Sequence, residues 1–534
     1  MSSPVIIGVD AGTSVIKAVA FDLQGHQLAS ACTPNHIHHG AGGRVEQDLQ
    51  QVWNDTAATL RALADRVPDL AQRAVALTAT AQGDGTWLID AHGEPVGPGL
   101  LWLDGRAAPQ VAALRHGPAA QALAERTGTA LNPSMQSGQL LWLRAHEPER
   151  LQRATSALHC KDWLYFKATG ERRTCHAEAV FTFGNHRSGD YDDEVLRLLG
   201  LSELRHLLPV IGIPGHEQAP LTPEAAVQCG LRAGLPVVLA PMDVPASVLG
   251  AGGVAYGSAG LRSVGCSVLG STGMHGWAVE GAEGVRANAE AGYTMLLPLP
   301  GIRMRLMSHM AATLNIDWLL ALLTEAMQLG GAPALARAPL LDKLNDMVLG
   351  AAPGQAIFHP YIADNGERGP FVDPHARAQL SGFGSGLGLP GLARAVFEGV
   401  ALATRDCYTA LGPVPQEVRL SGGAARSPAL RQLLANVLNR PIRLSLREEC
   451  GAAGAAMVAA VALGQHACLR DALPEWVDTC LADSTTLPDS TEVALYDQLF
   501  PIYQDMTARA RAPWSQLAAA RSTAALTTPA GPIA

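Results

Sequence analysis

The first stretch with a readable rhythm is VIIGVDAGTSVIKAVAFD, from Val5. An apolar run gives way to a polar Gly12-Thr13-Ser14 step and then to a second apolar run, which predicts strand, tight turn, strand. DLQGHQLAS follows with a turn at Gly25 and a third strand. In EQDLQQVWNDTAATLRALADRV the apolar positions Leu49, Val52, Trp53, Ala57, Leu60 and Leu63 recur at helical spacing. AVALTATAQGDGTWLID then reads as a strand, a Gly/Asp-rich loop and another strand. Strands alternating with helices predict an α/β fold. Glycine crowds LGAGGVAYGSAG, from Leu249, and the domain boundary is expected there. The expected domains are therefore 1–252 and 253–465, with a helical extension and frayed tail over 466–534. Past the boundary, SVLGSTGMHGWAVE repeats the opening device of strand, Gly/Ser/Thr turn and strand. GAAGAAMVAAVALG, from Gly451, is too short and too rich in glycine and alanine to span a bilayer, and reads as a helix packed tightly on its neighbours. ARSTAALTTPAGPIA, from Ala520, reads as the frayed tail.

Composition narrows the function classes. At 534 residues, 48% hydrophobic and 16% charged, the chain has material for more than one buried core. A net charge of -9 is the wrong sign for a nucleic-acid binder. The nine cysteines are scattered and never form a C-x-x-C pair, which fits reduced thiols better than a disulfide framework or a zinc site. MSSPVIIGVD has no basic segment followed by an apolar one, so no signal peptide is read. The expectation is a cytoplasmic protein with no membrane and no nucleic-acid partner.

Three turns carry candidate chemistry. The opening turn holds Asp10, Gly12, Thr13 and Ser14, with Lys17 just beyond, where a hairpin needs only Gly or Asn. Hydroxyls and successive backbone amides around a turn form an anion-binding concavity. A single carboxylate such as Asp10 suits magnesium, which keeps most of its waters. An ordinary hairpin is an equal reading. In VVLAPMDVPASVLGAG, Asp243 follows a buried strand at its carboxyl end, where open α/β sheets place ligands. It is a candidate general base or, alternatively, an N-cap. In VRLSGGAARSPALRQLLANVL, Gly422, Gly423 and Ala424 precede a helix and let a flat ring or a phosphate approach the backbone, or form a plain turn. Gly386, Gly388 and Gly391 spell a G-x-G-x-x-G without a convincing strand before it, and His36, His38 and His39 lack the other ligands of a metal site.

As an ordered set the motifs are GVDAGTSVIKAVAFD, VEQD, TAQGDGTW, WLDGRA, KDWL, MDVPASVLGAG, GSTG, ERGPF, EGVALATRD and SGGAARS. The set resembles the FGGY carbohydrate kinases, from the start of the chain to about Gly464. The resemblance implies two actin-like ATPase lobes of ribonuclease-H-like fold with an interlobe active-site cleft. Residues 1–252 would bind the polyol and carry the base, and residues 253–465 would bind the nucleotide. The implied cofactors are ATP and Mg2+. Asp10 would help hold the metal, with Gly12, Thr13, Ser14 and Lys17 near the transferred phosphate and Lys17 counted as catalytic. Asp243 matches the family's catalytic base. Thr272 and Gly273 would hold phosphate oxygens, and Gly422, Gly423 and Ala424 would pass against the adenosine. Gln82, Asp84 and Asp104 fall where relatives contact substrate hydroxyls, and His275 is added as a pocket-lining residue.

Gly83 stands where the glycerol kinase pattern has arginine, and Ser134 where it has an aromatic. Both changes are expected to make room for a longer acceptor. The implied reaction is transfer from ATP to a terminal hydroxyl of a short polyol, with erythritol giving erythritol 4-phosphate as the first expectation. Xylulose, ribulose or glycerol are the alternatives, and a non-catalytic nucleotide-switched binding protein is the rival of another class. A homodimer is compatible with the sequence.

Overall fold

The computed structural model describes residues 3–331, 333 and 335–527. The chain divides into two compact units that are not contiguous in sequence. The first comprises Met1–Ser263, Trp277–Arg305 and Leu446–Leu481, and the second Val264–Gly276, Leu306–Ser445 and Ala482–Ala534.

The first unit is built on a six-stranded sheet in the order Gln218–Pro220, Pro236–Leu239, Ala74–Ala81, Val5–Ala11, Val15–Phe21, Gln27–Pro34. The three strands nearest the start of the chain form an antiparallel meander, and Ala74–Ala81 joins Val5–Ala11 in parallel. Pro236–Leu239 extends the parallel part. Side chains alternate across a strand, so the two faces can be told apart by parity. Val5, Ile7, Val9 and Ala11 enter a core with Leu49, Val52, Trp53, Leu60, Trp163 and Leu164. These come from the helices Leu49–Ala64 and Cys160–Thr169. On the other parity, Gly8 is met by the helix Cys450–Ala462: a Cβ at Gly8 would lie 2.4 Å from the Ala452 carbonyl oxygen.

That second helix explains the Gly/Ala run. A Cβ at Gly454 would lie 1.9 Å from the Ala246 oxygen, and one at Gly250 would lie 2.1 Å from the Cys450 oxygen. The helices Asp243–Ala251 and Cys450–Ala462 therefore pack backbone to backbone, which only glycine permits at these positions.

The second unit contains the parallel strands Val264–Leu269, Glu417–Ser421 and Ile442–Ser445. Helices Leu389–Leu411 and Pro428–Leu438 belong to it. Ser427 caps the latter, its hydroxyl accepting from the Leu430 amide at 3.1 Å. A short strand, Gln379–Ser381, does precede the G-x-G-x-x-G, but it pairs antiparallel with Ile357–His359. The C-terminal helix runs Ser490–Thr527, and Trp514 and Ala510 on it pack with Tyr361 and Phe371. The expected tail from Ala520 is thus helical to Thr527, and its remainder lies outside the described residues. All nine cysteines are free thiols. Among the described residues, no helix is long and apolar enough to cross a membrane.

Candidate active site

The hairpin register puts Asp10 directly across from Lys17. Lys17 Nζ donates to Glu449 Oε2 at 2.8 Å. Glu449 stands just before the helix Cys450–Ala462, whose second residue, Gly451, faces the Asp10 carboxylate: a Cβ there would lie 2.3 Å from Asp10 Oδ2. Burial pushes the Asp10 carboxyl up to about 6; the Lys17 charge pulls it down and Glu449 adds to the rise. Burial works against the Lys17 charge, but the Glu449 bond and the charges of Glu449 and Asp10 outweigh it and raise Lys17 above its usual value.

The turn itself is held from outside. Asn35 Nδ2 donates to the Gly12 carbonyl at 2.8 Å, and the Asn35 amide to the Ser14 carbonyl at 2.9 Å. Trp102 Nε1 donates to Thr13 Oγ1 at 2.9 Å, and Thr13 Oγ1 donates to Gln82 Oε1 at 3.1 Å. Gln82 Nε2 in turn donates to Gln47 Oε1 at 2.7 Å. The structure therefore joins the expected phosphate turn and the expected acceptor residue Gln82 in one network.

Asp243 opens the helix Asp243–Ala251, and Met242 occupies the N-cap position. The N-cap alternative for Asp243 is thereby replaced: Asp243 Oδ1 accepts from the adjoining Val244 amide at 2.8 Å and, across the unit's loops, from the Gly83 amide at 3.2 Å. Burial, then the charges of Asp10 and Glu178, push Asp243 well above the usual carboxylate range, and its two amide bonds oppose that shift.

The space beside Gly83 is not open as the sequence suggested. A Cβ at Gly83 would lie 2.0 Å from Met242 Cε and 3.4 Å from Asp243 Oδ1. The Met242 side chain fills the room that the glycine leaves. Next to it, Asp84 adopts a left-handed backbone, φ 59°, followed by Gly85 at φ 82°. Asp84 Oδ2 accepts from Ser134 Oγ at 2.6 Å, and the Gly85 amide donates to the Ser134 carbonyl at 3.1 Å. Ser134 thus holds the loop that presents Asp84.

Asp104 goes elsewhere. It is 1% exposed, accepts from the Val45 amide at 2.8 Å, and takes Arg106 Nε and a terminal guanidinium nitrogen at 2.9 and 2.7 Å. Arg106 also pairs with Glu46 at 2.7 Å and stacks over Trp142. Both Asp104 oxygens are therefore engaged in a buried ion cluster.

The KDWL motif brings Lys161 and Asp162 to a buried group of charges whose other members, His159 and Glu178, the sequence did not single out. Lys161 pairs with Asp162 and lies 3.4 Å from Glu178, and His159 Nδ1 contacts Asp162 at 3.2 Å. All four are 3% exposed or less. Burial opposes the charge on His159, but Glu178 and Asp162 outweigh it and raise its pKa.

In the second unit, Gly273 begins the strand Gly273–Glu280, and Gly270 N donates to Thr272 O at 3.0 Å to close the turn. Gly422 has φ 89°, and a Cβ on it would lie 2.5 Å from the Leu269 oxygen. Nothing stands within 4 Å of a Cβ position at Gly423, so that face of the Gly422-Gly423-Ala424 turn is open. His275 is fully buried, its Nδ1 2.9 Å from Ser267 Oγ.

The N-terminal domain of the FGGY family of carbohydrate kinases matches residues 5–250, and its C-terminal domain matches 296–463. The chain is 46% identical to the erythritol kinase of Brucella abortus (strain 2308) over 518 residues, 97% of this chain and 98% of that protein. It is 30% identical to the xylulose kinase of Escherichia coli (strain K12) over 515 residues, 93% and 99% of the two chains. The crystal structure of gluconate kinase from Lactobacillus acidophilus superposes with a TM-score of 0.85 at 22% identity, covering 97% of this chain and all of that one. The α/β architecture is the two-domain actin-like ATPase fold of these kinases. The chain belongs to the FGGY family of carbohydrate kinases.

Proposed function

We propose that this kinase transfers the terminal phosphoryl group of ATP to a terminal hydroxyl of erythritol, giving erythritol 4-phosphate and ADP. The observation that carries the reading is Asp243: one carboxylate oxygen is fixed by the Gly83 and Val244 amides, and the group is made more basic by burial and by Asp10 and Glu178. A base of that kind suits proton removal from an alcohol near neutral pH. Asp243 takes the hydroxyl proton as the substrate oxygen forms its bond to the γ-phosphorus and the bond to the ADP oxygen breaks. The proton ends on Asp243 and the charge leaves on ADP. Such transfer needs mainly alignment and charge stabilisation.

Gln82 and Asp84 are proposed to bind the acceptor hydroxyls, each held in place by Thr13 or Ser134. Asp104, expected to contact substrate hydroxyls, is proposed to act on this wall by holding the Val45–Gln47 segment, through the Val45 amide and through Arg106 to Glu46, next to the Gln47 that binds Gln82. Gly12, Thr13, Ser14 and Lys17 are proposed to face the phosphates, with Thr272 and Gly273 holding further oxygens and Gly422, Gly423 and Ala424 lying against the adenosine. The Asp10 carboxyl fits a cation, since burial makes its ionised form costly and the residue that faces it, Gly451, brings no side chain against it. Mg2+ bound there with its waters would supply positive charge to the phosphates. The reaction draws on ATP and so is assigned to the cytoplasm. The similarity to the Brucella erythritol kinase favours erythritol over xylulose, ribulose or glycerol. ADP release measured across these four acceptors tests the reading: erythritol should give the highest kcat/KM, and a preference for any other acceptor rejects it.

A further inference from the structure

The second unit contains a buried group to which the proposed phosphoryl transfer assigns no step. His275 on the strand Gly273–Glu280, His309 at the end of the strand Ile302–His309 and Cys407 on the helix Leu389–Leu411 converge, each 1% exposed or less. One ligand atom from each lies within 4.8 Å of the other two. His275 Nε2 and both ring nitrogens of His309 are buried without a hydrogen-bond partner. Unsatisfied buried polar atoms are uncommon because each forfeits its hydration, and three in one place call for an explanation.

From this geometry we infer that His275, His309 and Cys407 form a buried zinc site. Two imidazoles and a thiolate are the donors that a borderline-soft divalent ion takes, with water as a fourth ligand. Zinc bonds of about 2.0–2.3 Å set donor atoms roughly 3.5 Å apart, so the side chains need to close by about an ångström. The outer partner is already present: Ser267 Oγ lies 2.9 Å from His275 Nδ1 and 2.9 Å from the Tyr408 hydroxyl. Such a bond fixes the tautomer that leaves Nε2 to the metal.

Imidazole coordinates a metal through an unprotonated ring nitrogen, and His275 Nε2 and the His309 ring nitrogens are buried with no hydrogen-bond partner to compete for them. The Cys407 thiol is pushed up by burial and then by Glu367 and Asp406. Those same two acids favour a cation, while Arg368 opposes it. As the zinc–sulfur bond forms, the thiol proton leaves to solvent, and the ion carries the charge that burial denies the free thiolate. The other compact group, His159, Asp162 and Glu178, is different because the Lys161 ammonium already stands among its carboxylates.

The site clips three elements together behind a turn. A Cβ at Gly273 would lie 1.8 Å from His309 Nε2, so the His309 ring packs directly on the glycine that opens its strand. Fixing His309 fixes that turn.

The test uses the full chain, stripped with a chelator, reloaded with zinc sulfate and desalted. Elemental analysis should find about one zinc ion per chain, with a higher melting temperature than the stripped protein. His309→Gln and Cys407→Ser should each retain less than about a tenth of that amount. Cobalt loading adds a readout independent of the stability of the zinc form: wild type should show a thiolate-to-cobalt charge-transfer band, which Cys407→Ser abolishes. Zinc retained at background level by the wild type, unchanged retention by both variants, or no charge-transfer band would each overturn the assignment.

Discussion

Gly451→Ala separates the stability of a helix from the geometry of a carboxylate. Replacing glycine by alanine inside a helix ordinarily stabilises by roughly 0.5–1 kcal/mol. Here the added methyl would stand 2.3 Å from Asp10 Oδ2 and 3.0 Å from its Cγ. Carbon and oxygen prefer separations beyond about 3.5 Å, so the carboxylate must retreat by roughly an ångström. Asp10 has little freedom, since it sits in the sheet opposite Lys17. A displacement of that size at a reacting centre costs about a hundredfold in rate, close to 2.7 kcal/mol of transition-state stabilisation. The expected variant is folded, melts within a few degrees of wild type, and turns over about a hundredfold more slowly at saturating ATP and magnesium. Coupled ADP release and a thermal melt measure both. Turnover within a few-fold of wild type would mean that the position of Asp10 does not matter to the chemistry.

Asp243→Asn keeps an oxygen for the Gly83 and Val244 amides but loses the proton acceptor, so kcat should fall about a hundredfold to ten-thousandfold with the melting temperature little changed; wild-type kcat/KM should rise with pH through a midpoint above the usual carboxylate range, in line with the raised pKa of Asp243. Met242→Ala should empty the space over Gly83 and raise kcat/KM for five-carbon polyols relative to erythritol by about tenfold or more, measured side by side. Burial raises Asp406 to about 6 from 3.8, so the folded state holds its proton more tightly than the unfolded one. Its contribution to stability is full below about pH 4 and lost as pH rises through 6; Asp406→Asn, which keeps an oxygen for Gln504, should therefore match wild type near pH 4 and exceed it by up to about 3 kcal/mol above pH 7 in denaturant melts.

What could be read from the chain beforehand follows from the range of each signal. The hairpin from Val5, the helix faces of Leu49–Ala64 and the close packing around Gly454 are written in local periodicity and in glycine content. Asp10 stood out as a carboxylate in a Gly-rich turn, and Asp243 as one at the carboxyl end of a buried strand, where the strand itself has no use for one. Lys17's partner did not stand out, because Glu449 lies 432 residues away. Glu178 escapes notice in the same way, the one acid in a mostly apolar helix whose charged neighbours arrive only in the fold. Gly83 misled because the absence of a side chain says nothing about which neighbour takes its place, and Met242 does. Arg106, two residues on, was in plain view as a partner for Asp104, but the Val45 amide and Glu46 that complete the cluster lie about 60 residues away and could not be read locally. The same holds for the site beyond Gly273, since His309 and Cys407 are too far apart in sequence to suggest a cluster.

The acceptor comparison bears most directly on the whole account. The same preparation, at saturating ATP and magnesium, is assayed for ADP release with erythritol, glycerol, xylulose and ribulose, and the phosphorylated product is identified. Erythritol should show the highest kcat/KM and yield the terminal phosphate, with glycerol well below it because a site built for more hydroxyls leaves buried groups unpaired at about 1–3 kcal/mol each. Equal or better use of glycerol or a ketopentose would contradict the erythritol assignment, and no ADP release with any of the four would contradict the polyol reading of the site.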